Sequence, residues 1–273
     1  LALALVMVFA MAACGGSDKP ATDAAAPAAD AAAPAADDTI YTLNFYHIFA
    51  GVGHEQKWIQ KAIEEVEAQS EGHIKINCVP DGTMGGEDEL IPQVFAGTLD
   101  MSLSGPSVWG TVGGIDEIGW SELPYVVTNY SEMNALGEIL PELTNKQLEE
   151  KGIDLYGLGA MSQGIRCLLT TEGHKVETMA DCDGLRIRVP SSDVYQETVA
   201  AWGCSPTAMS SSQVITSLAN GTIEGFESDP ASITARGQQE SFKYYIETYH
   251  IASLNLLMIN KTNLEKLPVE YQD

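Results

Sequence analysis

Positive charge is scarce in this chain. Fourteen Lys and Arg stand against 38 Asp and Glu, a formal net charge of −24. Such a surface repels phosphate backbones, so nucleic acid is a poor partner. It also repels small anions at long range, so an anion site must rest on local cations, and each arginine is worth placing. Long apolar runs are scarce too. Leu1–Ala13 is unbroken, but a bilayer-spanning helix needs about 20 residues. Cysteines number five, with no C-x-x-C or Cys/His metal spacing, so no metal is expected. Catalytic patterns fail as well. His54-Glu55 begins like a zinc-protease helix, but Trp58 stands where its second His belongs. Gly105-Pro106-Ser107-Val108-Trp109 is not a nucleophile elbow. Gly157-Leu158-Gly159 lacks the third glycine of a dinucleotide fingerprint. Without a nucleophile–base set or a cofactor motif, neither an enzyme nor a cofactor is expected.

With 273 residues, 45% hydrophobic and 19% charged, the chain can bury a core as one large domain or two ordinary ones. Its start reads as a targeting signal. Leu1–Ala13 suits the apolar region of a secretory signal, and Met11-Ala12-Ala13-Cys14 resembles a lipobox, which makes Cys14 the expected lipidation site. The Ala/Pro/Asp-rich stretch after Cys14, to residue 40, cannot bury a core and reads as a solvated tether. The expected location is extracytoplasmic: periplasmic, or the outer face of the cytoplasmic membrane. The chain lacks an initiator Met and ends at Asp273, and is expected to be a fragment at both ends. A disulfide among Cys167, Cys182 and Cys204 is allowed outside the cell, but spacing cannot pair them.

From Thr42 the pattern is α/β. Thr42–Ile48 is a short aromatic strand, and His54–Gln69 a helix with Trp58, Ile59, Ala62, Ile63 and Val66 on one face. Ile74, Ile76 and Cys78 alternate as a strand, Glu87–Ala96 is a helix with an acidic first turn, and Leu99–Ser104 is the next strand. Strands alternating with helices imply a parallel-rich sheet. An internal echo suggests two similar lobes. Gly97-Thr98-Leu99-Asp100 matches Gly221-Thr222-Ile223-Glu224, and upstream Ile74–Pro80 is matched with Leu185–Pro190. Asp100 and Glu224 are then equivalent turn residues, distant from one another. Ligands in such folds bind beyond the carboxyl ends of strands, so the loops after Pro80, Ser104, Pro190 and Glu227 should line a cleft.

Pro80-Asp81-Gly82-Thr83-Met84-Gly85-Gly86-Glu87, Leu123-Pro124-Tyr125, Gly184-Leu185-Arg186-Ile187-Arg188-Val189-Pro190 and Gly221-Thr222-Ile223-Glu224-Gly225-Phe226-Glu227 occur in that order. From about Tyr41 onward this set resembles the substrate-binding subunits of TRAP (tripartite ATP-independent periplasmic) transporters, of the C4-dicarboxylate-binding type. The resemblance implies a two-lobe periplasmic-binding-protein-like α/β fold with a ligand cleft between lobes. Lobe I would be 41–161 with 254–273, lobe II 162–253, and C-terminal helices would be missing. It implies a monomer that captures a small organic acid and delivers it to membrane permease subunits. The family's carboxylate-binding Arg falls on Arg188 and a second on Arg166. The usual Glu-Asn-Pro is Glu227-Ser228-Asp229-Pro230 here, so Ser228 replaces an amide. The Ser104–Trp109 loop lacks the acid and Arg of sialic-acid binders. A binding protein of an ATP-driven importer and a ligand sensor are alternative uses of the same fold.

Arg188 sits in an otherwise apolar strand. It either forks onto a ligand carboxylate or pairs with a protein acid. Arg186, two residues earlier, is expected to be more solvated. Arg166 is a ligand contact or an interlobe salt bridge. The remaining candidates for ligand contact are Gln163, Glu227, Ser228, Tyr46, Trp109, and Ser104 and Gly105 for close approach.

Overall fold

Period-two apolar residues make strands here, and each helix buries one stripe over them. The computed structural model describes residues 39–272. The signal, Cys14 and nearly all of the tether lie outside the described residues. Five elements come first: β1 (Tyr41–His47), α1 (His54–Gln69), β2 (Ile74–Val79), α2 (Glu87–Phe95) and β3 (Met101–Ser104). In β1, Leu43, Phe45 and His47 are buried and alternate with less buried neighbours. Ile59 and Ile63 are the buried stripe of α1. Trp58 and Val66, expected on that stripe, are exposed and flank an apolar groove between α1 and the sheet. Next come α3 (Pro106–Gly113), a 3-10 turn at Asp116–Glu122, α4 (Tyr130–Lys151) and the long strand β4 (Leu155–Thr170). A second α/β run follows: β5 (Arg186–Val189), α5 (Asp193–Ala201), β6 (Ser205–Ala208), α6 (Val214–Ala219), β7 (Gly225–Ser228) and α7 (Pro230–Ala235). The long strand β8 (Tyr244–Asn260), α8 (Lys261–Leu264) and a 3-10 turn at Val269–Tyr271 close the described chain.

All eight strands form one sheet in the order β2-β1-β3-β8-β4-β7-β5-β6. The outer strands pair in parallel, β1 with β2 and β3, and β5 with β6 and β7. The centre departs from the parallel-rich expectation. There β4 and β8 run antiparallel from Leu155↔Asn260 to Thr170↔Tyr244, because each long strand passes through both halves in the opposite sense. Their pairing shifts register between Ser162 and Gly164. The core divides likewise. Phe45, Leu90, Trp109 and Leu256 belong to one buried cluster, while Leu168, Ile187, Val189 and Val199 belong to another.

The two outer triplets, β2-β1-β3 and β6-β5-β7, have the same wiring. This corrects one half of the sequence echo. β5 is the counterpart of β1, and β2 corresponds to β6, so Ile74–Pro80 and Leu185–Pro190 are not equivalent strands. The shared Val-Pro ending misled the match. The other half of the echo stands. Asp100 Oδ2 accepts the β1 backbone N–H of Asn44 at 2.7 Å, and Glu224 Oε2 accepts the β5 backbone N–H of Arg186 at 2.9 Å.

Candidate ligand-binding site

Strand β5 carries Arg186-Ile187-Arg188-Val189, exposed at its first residue and buried at the other three. Arg186 pairs with Glu224 at 2.9 Å in a partly solvated position, as expected. Arg188 is only 5% exposed. Its Nε and Nη2 donate to the Met209 carbonyl oxygen at 2.9 and 2.6 Å. Among the described residues, ion pairs to carboxylates engage Arg166 and Arg186 but not Arg188. Burial pushes its guanidinium down to about 10, partly opposed by Glu227 and Glu87 and reinforced by Arg166. A buried cation without a partner at contact is costly. This one is oriented by a neutral carbonyl and lines a cavity between the two halves of the sheet.

Arg166, near the far end of β4, is the opposite case. Its Nε donates to Glu227 Oε2, and its Nη2 donates to Glu227 Oε1 at 2.8 Å and to the Glu227 carbonyl at 2.9 Å. Asp229 Oδ2 is 3.9 Å from Nη1, and the Tyr195 ring lies 5.1 Å from the guanidinium carbon. Burial opposes the Arg166 charge, but Glu227 outweighs it and raises the pKa. Burial likewise opposes the Glu227 charge. Arg166 and His250, whose Nε2 is 3.4 Å away, prevail and hold that carboxyl down at about 2. The protein carboxylate has claimed the fork of Arg166, although the side chain still borders the cavity.

The other candidates divide. Ser228 and Gln163 line the cavity. The Gln163 amide is committed to the protein: Nε2 donates to Asp229 Oδ2 at 3.0 Å, and Oε1 accepts from Ser253 Oγ at 3.2 Å and Asn255 Nδ2 at 2.9 Å. Gly105 lines it as well, yet a side chain there would strike the Glu122 carboxylate, 3.0 Å from a Cβ. The glycine makes room for Glu122 rather than for a ligand. Four candidates do not line the cavity. Glu227 is spent on Arg166, and the Ser104 hydroxyl donates to Glu87. Trp109 is fully buried in the first core, its Nε1 donating to the Leu256 carbonyl at 3.2 Å. Tyr46 packs against that same core and does not line the cavity. Both aromatics lie on elements whose apolar faces meet the sheet interior, so packing claims them.

The lining residues that escape the sequence reading include Glu87, Glu122, Tyr195 and Arg236. In the sequence Glu87 stands as a helix-dipole acid at the end of the Pro80–Glu87 motif, and Glu122 precedes the Leu123-Pro124-Tyr125 motif. Burial raises both carboxyls, with hydrogen bonds opposing: one from Ser104 to Glu87, and those from Ser107 and Tyr195 to Glu122. Tyr195 donates to Glu122 Oε1 at 2.8 Å and joins the halves across the cavity. Arg236 Nη2 donates to the Ile48 carbonyl at 2.8 Å, and burial lowers its pKa against pulls from Glu87, Glu55, Asp81 and Asp229. With so few cations in the chain, an arginine just past a short helix following Glu227 was a signal to follow. Among the described residues, no group of three or more His, Cys, Asp or Glu could hold a metal ion. No described helix is long and apolar enough to cross a membrane.

The cavity thus lies between two like-wired α/β halves and is lined by Arg188, which among the described residues has no carboxylate at contact. Residues 54–273 match the DctP family, bacterial extracellular solute-binding protein family 7, and the chain belongs to that family. A solute-binding protein of Roseobacter denitrificans is 30% identical over 239 residues, covering 85% of this chain and 70% of that protein. A TRAP periplasmic solute-binding protein of Citrobacter koseri, solved with bound D-glucuronate, superposes with TM-score 0.79 at 25% identity, covering 85% and 77% of the two chains. The corresponding Roseobacter denitrificans structure, with bound L-galactonate, gives 0.76 at 28% identity, covering 85% and 75%. The chain spans between 62% and 70% of the length of curated relatives that it matches.

Proposed function

We propose that this chain is the capture component of a TRAP-type secondary transporter, binding a hydroxylated monocarboxylate of the sugar-acid class without turning it over. The observation that carries this is Arg188, buried, oriented and without a carboxylate at contact. Charge accounting favours a single carboxylate. Glu227 neutralises Arg166. Among the described residues neither Arg188 nor Arg236 has a carboxylate at contact, but Arg236 feels Glu87, Glu55, Asp81 and Asp229 where Arg188 feels Glu227 and Glu87, so Arg188 is the less compensated cation. Glu87, Glu122 and Ser228 suit hydroxyls, since carboxyl and hydroxyl groups can each accept or donate. The sugar acids bound by the Citrobacter and Roseobacter proteins have this chemistry.

In this reading the lobes are 41–161 with 254–273, and 162–253. The pair Ser162↔Leu254, beside the register shift, lies at that boundary. The protein works as a monomer, tethered through Cys14, and passes its acid to membrane permease subunits. Closure of the lobes on a carboxylate would exclude water from the Arg188 fork and strengthen it. The test is calorimetric titration with D-glucuronate, L-galactonate and succinate. The sugar acids should bind, succinate should bind more weakly, and Arg188→Ala should weaken the best ligand more than 100-fold, from loss of a buried charge-assisted pair. Unchanged affinity in that variant would remove Arg188 from the site, and turnover of a bound acid would make the protein an enzyme.

A further inference from the structure

Cys182 ends the 3-10 turn Met179–Cys182, and Cys204 precedes β6. Sequence spacing does not pair them, but the backbone brings their neighbours together. Gly184 N–H donates to the Gly203 carbonyl at 2.9 Å, and Ser205 N–H to the Leu185 carbonyl at 2.7 Å. A Cβ placed on Gly203 would lie 3.6 Å from the Asp183 Cα. The immediate neighbours of the two cysteines are therefore in contact. The cysteines themselves belong to one buried cluster with Ile187, Val189 and Val199, and each thiol influences the titration of the other. Both are free thiols in the structure. A family of extracellular binding proteins works where disulfides persist.

We infer that Cys182 and Cys204 are joined by a disulfide in the exported protein. Two S–H bonds are lost and one S–S bond forms. Two protons leave, and the two electrons reduce an incoming disulfide, carried by a protein or small-thiol oxidant, to two thiols. The closed segment 182–204 contains all of β5, so the bond staples the strand that presents Arg188. Cys78 and Cys167 stay apart from this pair. Cys78 Sγ lies 3.4 Å from His47 Nε2, and Cys167 is buried on β4. Burial raises the Cys182 thiol and pushes Cys204 up to about 12. Thiolate is then scarce in the folded state, which times the oxidation before burial is complete and makes the finished bond resistant to reduction.

The test uses the full chain exported to a bacterial periplasm and the same chain made in a reducing cytosol. Each is denatured in iodoacetamide, digested and mapped by mass. The exported chain should yield the Cys182–Cys204 peptide pair about 2 Da below the sum of its thiol forms, with neither cysteine alkylated. Reduced and oxidised forms should differ in Tm by about 6–12 °C, from the loop-closure term for a loop of about 20 residues. Cys182→Ser/Cys204→Ser should match the reduced form in Tm and lose sensitivity to reductant. Quantitative alkylation of both cysteines in the exported chain overturns the inference, and so does a bond from either one to Cys167 or Cys78.

Discussion

The two ends of the sheet share one wiring and bring opposite charge to the cavity between them. In both β2-β1-β3 and β6-β5-β7, a carboxylate just before the third strand holds the backbone N–H of the first. Yet the first end contributes Glu87 and Glu122, acids raised by burial. The second contributes Arg188 and Arg236, with Arg166 from the crossing strand β4. The repeat supplies backbone geometry and the side chains supply function. Opposite polarity on the two walls also makes closure favourable, since Tyr195 and Arg236 already reach across to Glu122 and the Ile48 carbonyl.

The sharpest way to break this picture is to separate the two buried arginines, Arg166 and Arg188. Arg166 depends on Glu227, so Glu227→Gln leaves a buried cation half-paired and should cost about 3–5 kcal/mol of stability. Arg188 lacks such a partner, so Arg188→Ala should change the stability of the unliganded protein by less than about 1 kcal/mol while abolishing ligand-induced stabilisation. Urea denaturation with and without ligand measures both. Equal losses in the two variants would mean that Arg188 is a structural cation like its neighbour.

Acid should loosen the two ends in sequence. His47, fully buried at the end of β1, has its pKa lowered to about 4 by burial, with Asp81 opposing and Arg236 assisting. The unfolded chain binds that proton near pH 6.5 and the folded chain only near 4, so this stability is complete above pH 6.5 and lost as pH falls through the window. The loss approaches about 3 kcal/mol. Glu227 has the same sign lower down: its contribution is complete above about pH 4.5 and lost as pH falls toward 2. Stability of wild type and His47→Gln at pH 7 and pH 4.5 tests the first step. The variant should lose distinctly less between those values. An equal slope would assign the acid sensitivity elsewhere.

Much of this was legible in the sequence, and the failures have physical causes. Period and punctuation located β1, α1, β2 and α2 to within a residue or so, and Arg188 stood out as a charge in an apolar strand. The antiparallel centre was not legible, because periodicity reports burial and not strand direction. Trp58 misled because helical spacing defines a face without saying whether anything covers it. Trp109 and Tyr46 misled because an aromatic near a cleft loop has the same pattern as one in the core. Glu87 and Glu122 went unnoticed because acids are abundant here, and only the fold shows which of them are buried, whereas Arg236, as a scarce cation, was legible. Cys182 and Cys204 share a buried cluster where β5 and β6 come together, a proximity that sequence spacing does not record.

The smallest effect probes the repeat itself. Asp100 is enclosed by donors: Asn44 N–H at 2.7 Å and Asn44 Nδ2 at 3.2 Å on Oδ2, and Asn263 Nδ2 at 2.8 Å on Oδ1. Asp100→Asn turns one acceptor into a donor facing a donor, whichever way the amide flips, and should cost about 1–2 kcal/mol. Glu224 holds β5 through Arg186 N–H and Nη2, each at 2.9 Å, but its side chain is 21% exposed. Water can replace part of what is lost, so Glu224→Gln should cost about 0.5–1 kcal/mol. The double variant should be additive within about 0.5 kcal/mol, since the residues share no partner. Ligand affinity should distinguish them in the other direction. Glu224→Gln loosens the strand that presents Arg188 and should weaken binding a few-fold, whereas Asp100→Asn acts on β1, whose residues do not supply the carboxylate clamp. If Asp100→Asn weakens binding as much, the first end positions the ligand too, and the division of labour between the two ends fails.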